Sequence, residues 1–321
     1  MKVPPELLSL ITSAKSFFIA THINPEGDAI GSAAALAIAL ESIGKDIYLF
    51  DRDPVPEVYR FLPHSEGFTN IIPASTFDVM IIVDCGDIER IGSKAPESRH
   101  RAVIDHHITE RPFGDIRWVT PHASATGEMI YSLLNSLGIK ITRDIAVNLY
   151  TAIVTDTGFF RYANTTPDAM MTCGELIDLG VDPSEVNEAV SESFSLNKFK
   201  LLSRVLSTIQ MDGKTAWLTV TNQMYEETGT SAADTENFVN YPLIIRGIAV
   251  SVLFRQLDPD LWKISLRSKR RLDVASIAEE FGGGGHKNAA GCNVKGDLHY
   301  VRDLVINSVK RAIHESNSKS Q

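Results

Sequence analysis

Thr21-His22-Ile23-Asn24-Pro25-Glu26-Gly27-Asp28-Ala29-Ile30-Gly31-Ser32 stands between two segments of opposite character. The apolar run before it, residues 17–20, reads as a buried strand, and residues 33–43 after it are rich in strong helix formers. The polar residues therefore fall on the turn between a strand end and a helix start, where open α/β sheets place their ligands. One imidazole and two carboxylates, His22, Glu26 and Asp28, share that turn. Hard divalent cations favour carboxylates, and Mn²⁺ also accepts imidazole. The plainer alternative is that Asp28 caps the helix and His22 is a solvated turn residue.

The arrangement recurs downstream. Residues 46–50 read as a second short strand, and the proline-rich residues 51–73 as an irregular loop with a helical turn. Residues 79–83 form a continuous apolar run of the kind found in buried parallel strands, ending in Asp84-Cys85-Gly86-Asp87. A carboxylate at the end of a buried strand is costly without a partner, so Asp84 requires a metal, a helix to cap or an ion pair. Residues 102–104 are a third such run, ending in Asp105-His106-His107, and residues 113–119 read as an edge strand. Residues 123–137 are a predicted helix with capping oxygens from Ser124, Thr126 and Glu128. Residues 145–154 alternate at helical spacing and run into a fourth acidic turn, Thr155-Asp156-Thr157-Gly158. Further helices are predicted over 168–179, 183–190 and 196–209. The four clusters would thus meet at one edge of one sheet, and a two-metal site needs a bridging carboxylate flanked by ligands on each side.

The 321 residues suffice for two domains, and 44% hydrophobic with 22% charged residues is an ordinary globular balance. A net charge of −9 argues against binding a long polyanion, but not against a small phosphorylated ligand. Cys85, Cys173 and Cys292 are widely spaced and form no CxxC pattern, which fits a reducing compartment. No signal segment or membrane-length apolar run is visible, so a cytoplasmic protein without a membrane partner is expected.

Beyond residue 195 the pattern restarts. Strands are predicted over 215–221, 248–255 and 262–267, and helices over 234–245, 274–281 and 298–313. This part carries Arg267-Ser268-Lys269-Arg270-Arg271 and the run Gly282-Gly283-Gly284-Gly285-His286. Consecutive glycines are costly in conformational entropy; they let backbone amides approach an anion, or else they form a hinge. Lys269, Arg270 and Arg271 read more simply as a solvated charged turn.

Together these stretches resemble the DHH/DHHA1 phosphoesterase family. Thr21 to Ser32, Val83-Asp84, Asp105-His106-His107 and Asp156-Thr157-Gly158 are similar to its four motifs, and Gly282 to Gly291 to the glycine-rich signature of its second domain. The resemblance implies an α/β fold, with a parallel-sheet DHH domain over 1–194, a helical linker over 195–210 and a smaller α/β DHHA1 domain over 211–321. It is nearest to the nano-RNase/pAp phosphatase branch, pAp being 3′-phosphoadenosine 5′-phosphate. That branch implies two Mn²⁺, with Mg²⁺ or Co²⁺ as substitutes, and hydrolysis of short oligoribonucleotides and pAp. Alternatives are a phosphodiesterase for linear or cyclic dinucleotides, or a non-catalytic nucleotide sensor. By resemblance, His22, Glu26 and Asp84 hold one metal, and Asp28, Asp84, His106 and Asp156 the other. Asp105 would orient His106, and His107 would lie near the reacting phosphate. Arg267, Ser268, Gly283, Gly284, Gly285 and His286 would bind substrate, and a homodimer is compatible. Glu26 departs from the family, which usually has aspartate there; the extra methylene moves the carboxylate by about one C–C bond.

Overall fold

The computed structural model describes residues 1–92, 96–107, 113–191, 195–269 and 272–318, the side chains of His286 and of residues beyond 315 excepted. The chain forms two compact units, Met1–Ser193 and Phe194–Gln321.

In the first unit the order is α1 (Pro5–Ser13), β1 (Ser16–Ala20), α2 (Gly27–Ser42), β2 (Asp46–Phe50), β3 (Phe77–Val83), β4 (Ser98–Asp105), β5 (Ile116–Val119), α3 (Thr126–Ser136), α4 (Arg143–Asp156), α5 (Pro167–Asp178) and α6 (Pro183–Ser191). The five strands pair in the order β2-β1-β3-β4-β5, all parallel. Successive side chains of β1 face opposite layers. Phe17 and Ile19 join the helices in one core, while Phe18 and Ala20 join Phe50, Met80 and Ile82 on the other face. Because the strands are parallel, the residues that follow β1, β3 and β4 emerge at the same edge. The chain order reverses between β1 and β3, and such a switch point opens a crevice outside the strand ends.

The α2 helix is buried on nearly every side. Only small residues let it pack so closely: a Cβ on Gly31 would stand 2.5 Å from the Asn148 carbonyl oxygen, and one on Gly27 would stand 2.4 Å from the Thr155 hydroxyl, both on α4. Tertiary packing therefore overrides the poor helix propensity of glycine, and α2 begins at Gly27 rather than at the predicted residue 33. Likewise α3 starts at Thr126 rather than at 123. The predicted strand over 113–119 is shorter, Ile116–Val119. The segment α1 carried no sequence signal strong enough to predict, its first turn being set by Pro5.

The second unit comprises α7 (Leu196–Ser207), β6 (Gln210–Asp212), β7 (Thr215–Val220), α8 (Asn222–Thr228), β8 (Val250–Asp258), β9 (Leu261–Ser268), α9 (Ala275–Glu279), β10 (Gly284–His286), β11 (Ala289–Lys295) and α10 (Leu298–Ser318). Its six strands run β10-β11-β9-β8-β7-β6, antiparallel except for β7 with β8. Apolar residues of α7, Leu201, Leu202 and Val205, pack with Leu218, Val220 and Phe238. The helix predicted over 234–245 is instead two 3₁₀ stretches, Ala232–Thr235 and Phe238–Ile244. Asn237 between them is left-handed at φ 68°, and Pro242 has no amide hydrogen to continue a helix. The glycine run also departs from a free loop: Gly284–His286 pairs with Ala289–Gly291 as a hairpin.

Candidate metal centre

His22 follows β1, Asp84 follows β3, and Asp105, His106 and His107 close β4. Asp156 was expected on an acidic turn after a helical stretch; it is the last residue of helix α4 itself. The close packing of α2 on α4 brings it to Asp28, in the first turn of α2.

Three groups of donor atoms, each gathered within 4.8 Å, overlap here: His22, Glu26 and Asp84; Asp28, His106 and Asp156; and Asp84, His106 and His107. His106 Nε2 stands 3.7 Å from Asp28 Oδ2, 3.6 Å from Asp84 Oδ1 and 3.6 Å from Asp156 Oδ2. Those separations are too long for hydrogen bonds, and His106 Nε2 and Asp84 Oδ2 are buried without a hydrogen-bond partner. Buried polar atoms of that kind call for an explanation, and a cation between them is the direct one. The ring of His106 is aimed by its other nitrogen, Nδ1, which lies 3.2 Å from the Ala123 carbonyl oxygen. On the other flank His22 Nε2 faces Glu26 Oε1 at 2.8 Å and Asp84 Oδ2 at 3.7 Å. The donor set, imidazole and carboxylate with one carboxylate shared, fits a pair of divalent cations.

Electrostatics point the same way. Burial, then the like charges of Asp84 and Asp156, hold the Asp28 carboxyl well above the usual carboxylate range. Burial pushes Asp156 up to about 6, the neighbouring His106 opposing this and Asp84 adding to it. Burial disfavours an imidazolium at His22, but the Asp84 and Glu26 carboxylates outweigh it and raise its pKa to about 10. Without cations, the site must hold protons in their place.

Several supporting groups were not legible beforehand. The Asp28 carboxylate accepts from the backbone N–H groups of Thr126 and Gly127 at 2.7 and 2.9 Å and from the Ser32 hydroxyl at 2.8 Å. It thus occupies the positive end of α3, which has no capping side chain of its own. The Thr126 hydroxyl, expected as a cap, instead donates to Asp84 Oδ1 at 2.9 Å. Asn164 donates to both the carboxylate and the carbonyl of Asp156, at 3.0 and 3.1 Å. Asp84 itself is left-handed at φ 56°, a conformation that Asp and Asn tolerate better than other non-glycine residues.

Asp105 acts differently from the expectation. Its Oδ1 accepts from the His107 backbone at 3.1 Å and lies 2.9 Å from His107 Nδ1, so it aims His107, not His106. That hydrogen bond raises the His107 pKa against the effect of burial, and the ring is 45% exposed.

In the second unit, Arg267 donates to the Leu266 carbonyl oxygen at 3.1 Å, and burial lowers its pKa. The Ser268 hydroxyl is engaged within its own turn, donating to the Leu272 carbonyl oxygen at 2.7 Å and accepting from Asn288 at 2.8 Å. Gly283 and Gly285 are in close contact with β11, whereas a Cβ on Gly284 would meet nothing within 4 Å. The His286 side chain, Arg270 and Arg271 lie outside the described residues.

The sequence profile described as "DHH family, N-terminal domain" matches residues 16–153, and that described as "DHHA1 domain" matches 203–315. A curated relative from Thermus thermophilus, "Bifunctional oligoribonuclease and PAP phosphatase NrnA", is 34% identical over 98% of this chain and 94% of its own. A Bacillus subtilis protein of the same name is 29% identical, covering 90% of this chain and 92% of its own. A solved structure of an exopolyphosphatase-related protein from Bacteroides fragilis superposes with a TM-score of 0.85 at 26% identity, covering 97% of this chain and 95% of that one.

Proposed function

This chain belongs to the DHH family and carries its DHHA1 domain, and from that membership we propose that it is a Mn²⁺-dependent phosphoesterase acting on short oligoribonucleotides and on pAp. One observation carries the reading: Asp84 and His106 are each shared between overlapping groups of side chains that could hold a metal, at the switch point of the sheet. The relatives named as oligoribonuclease and PAP phosphatase supply the substrate class.

His22, Glu26 and Asp84 would hold one Mn²⁺, and Asp28, Asp84, His106 and Asp156 the second. When bound, the pair supplies charge stabilisation for the phosphoryl oxygens and a nucleophile at neutral pH. His106 keeps its Nδ1 proton on the Ala123 carbonyl, which leaves Nε2 as a ligand. Asp105 keeps the Nδ1 proton of His107 and so presents Nε2 of that half-exposed ring to the substrate. Protonated at Nε2 as well, His107 can donate to a phosphate oxygen or to the departing oxygen. Arg267, Gly283, Gly284, Gly285 and His286 are proposed to take a substrate phosphate, Arg267 through its guanidinium fork and the glycines through backbone amides; Ser268 supports their turn. The buried free thiols Cys85, Cys173 and Cys292 suit a reducing, cytoplasmic setting.

The decisive experiment measures Mn²⁺-dependent phosphate release from pAp beside mononucleotide release from a di- or triribonucleotide. Activity on both, lost on chelation and restored by Mn²⁺, is the expected result. Turnover of neither substrate by Mn²⁺-loaded protein would refute the reading.

A further inference from the structure

Arg90 sits beside the candidate centre and belongs to none of its metal-binding groups. It lies on the short 3₁₀ segment Ile88–Ile91, and its carbonyl oxygen accepts the Ile23 backbone N–H at 2.7 Å. The root of the side chain is therefore fixed to the turn that carries His22. Its Nη2 stands 3.1 Å from His22 Nδ1, and that same nitrogen lies 2.9 Å from the Ile23 carbonyl oxygen. These two contacts make opposite demands. A carbonyl only accepts, so Ile23 needs a proton on Nδ1; a guanidinium only donates, so Arg90 needs a bare Nδ1.

The Ile23 carbonyl, the nearer of the two and able only to accept, takes a proton from Nδ1. Nε2 faces Glu26 and Asp84, where a cation would sit, so Nδ1 is left to serve the Ile23 carbonyl. Arg90 then has no acceptor on the ring. Among the described residues no carboxylate oxygen lies within 4.0 Å of its guanidinium, although the candidate ligands close by include Glu26, Asp28, Asp84 and Asp156. Two divalent cations would only neutralise those four carboxylates, and Asp105 adds a further buried one. An arriving phosphate therefore depends on positive side chains, and Arg90 stands beside His107 in supplying them.

We propose that Arg90 is a substrate-binding residue of this centre: its guanidinium, which has no acceptor on the His22 ring, holds a non-bridging oxygen of the substrate's phosphate. The inference rests on the phosphoesterase reading above and adds a residue to it, an anion-binding fork beside the candidate metal ligands. Arginine suits the task because its charge is permanent and its donors are planar and paired.

The test compares wild type, Arg90→Ala and Arg90→Lys by calorimetry, first with Mn²⁺ alone and then with inorganic phosphate added to the Mn²⁺-loaded protein. Arg90→Ala is expected to bind Mn²⁺ with the wild-type stoichiometry and within about twofold of its affinity. Its phosphate affinity is expected to fall about 10- to 100-fold, the loss of one charge-assisted contact. Arg90→Lys should recover part of that, a point charge replacing the fork. Unchanged phosphate affinity in Arg90→Ala overturns the proposal. So does a parallel loss of Mn²⁺ binding, which would make Arg90 a prop for His22. A wild type that binds Mn²⁺ and phosphate but hydrolyses neither pAp nor short RNA sinks the proposed function and leaves the Arg90 comparison decisive on its own. A wild type that binds no Mn²⁺ overturns both.

Discussion

Thr126 joins two of the candidate ligands: its hydroxyl donates to Asp84 Oδ1 at 2.9 Å, while its backbone N–H donates to Asp28 Oδ2 at 2.7 Å. The first residue of α3 thus spaces two carboxylates that repel each other. Thr126→Val keeps the shape and the backbone bond but removes the bond to Asp84. We expect the Mn²⁺ concentration for half-maximal rate to rise about tenfold, in the range found for residues that support metal ligands. Thr126→Ser, which keeps the hydroxyl, should stay near wild type. Equal Mn²⁺ requirements in all three proteins would show that the contact does not position Asp84.

Asp84→Asn and Asp84→Ala separate chemistry from backbone strain. Both remove a shared ligand, and both should lower turnover of pAp by at least about a thousandfold if the metals depend on it. In the metal-free protein Asn keeps the left-handed φ of 56° at low cost and relieves carboxylate crowding, so its Tm should equal or exceed that of wild type. Ala at that φ is strained by about 1 kcal/mol and should melt lower than Asn. Thermal melts in chelator check the order, and an Asp84→Asn protein with near-normal turnover would defeat the shared-ligand assignment.

Two adjacent glycines should behave oppositely. A Cβ on Gly283 would stand 2.2 Å from the Gly291 carbonyl oxygen and 2.5 Å from Cys292 Cβ, so Gly283→Ala must push β10 away from β11. Overpacking of that kind costs about 1–3 kcal/mol and should lower Tm by several degrees. At Gly284 nothing lies within 4 Å, so Gly284→Ala should leave Tm nearly unchanged. A rise in KM for pAp in Gly284→Ala would then report crowding of the substrate itself. Unaltered KM would remove Gly284 from the phosphate-binding set.

The metal-free protein should gain stability as pH falls through the neutral range. Burial raises Asp51 and Asp156 to about 6 in the folded state, and Asp28 is raised further above the usual range. A carboxyl whose folded pKa is raised contributes stability that is complete below its unfolded value and lost as pH rises through the folded value. His22, raised to about 10, acts in the same direction above its ordinary value. Tm in chelator should therefore increase between about pH 7.5 and about pH 5.5. Saturating Mn²⁺ should flatten the curve, since the cations take the place of the protons. Asp51→Asn tests the part unconnected with metal, because Asp51 bonds Thr21 and the Asp53 backbone instead. A chelated wild type whose Tm falls over that interval would contradict the charge arrangement.

Periodicity and apolar runs made the parallel sheet legible, together with the edge at which His22, Asp84 and Asp105 emerge. Residues that act through a short strand end are close in sequence to the run that announces them. The partners of those residues are not. Thr126 looked like a helix cap because its hydroxyl precedes a helical pattern, but the Asp28 carboxylate, far away in sequence, already serves that helix. Asp105 precedes His106 directly, yet its oxygen reaches the ring one residue further on, a choice made by the turn and not by spacing. Arg90 and Asn164 carry no pattern at all; only the packing of three loops reveals what they face. In the second domain the glycine run was legible as a departure from composition, but its pairing with Ala289–Gly291 depends on a sheet partner that no local signal specifies.

The packing of α2 on α4 also sets a timetable for synthesis. Asp28 is made early, but the helix whose end carries Asp156, and whose Asn148 carbonyl abuts Gly31, is made much later. A nascent chain stopped before α4 would expose the apolar flank of α2 and lack one wall of the metal centre. Once α4 has left the ribosome, the N-terminal unit has every candidate ligand it needs, while most of the second unit is still unmade. Metal capture can then precede completion of the chain, so the ion can serve the newborn protein as a staple before it serves any substrate.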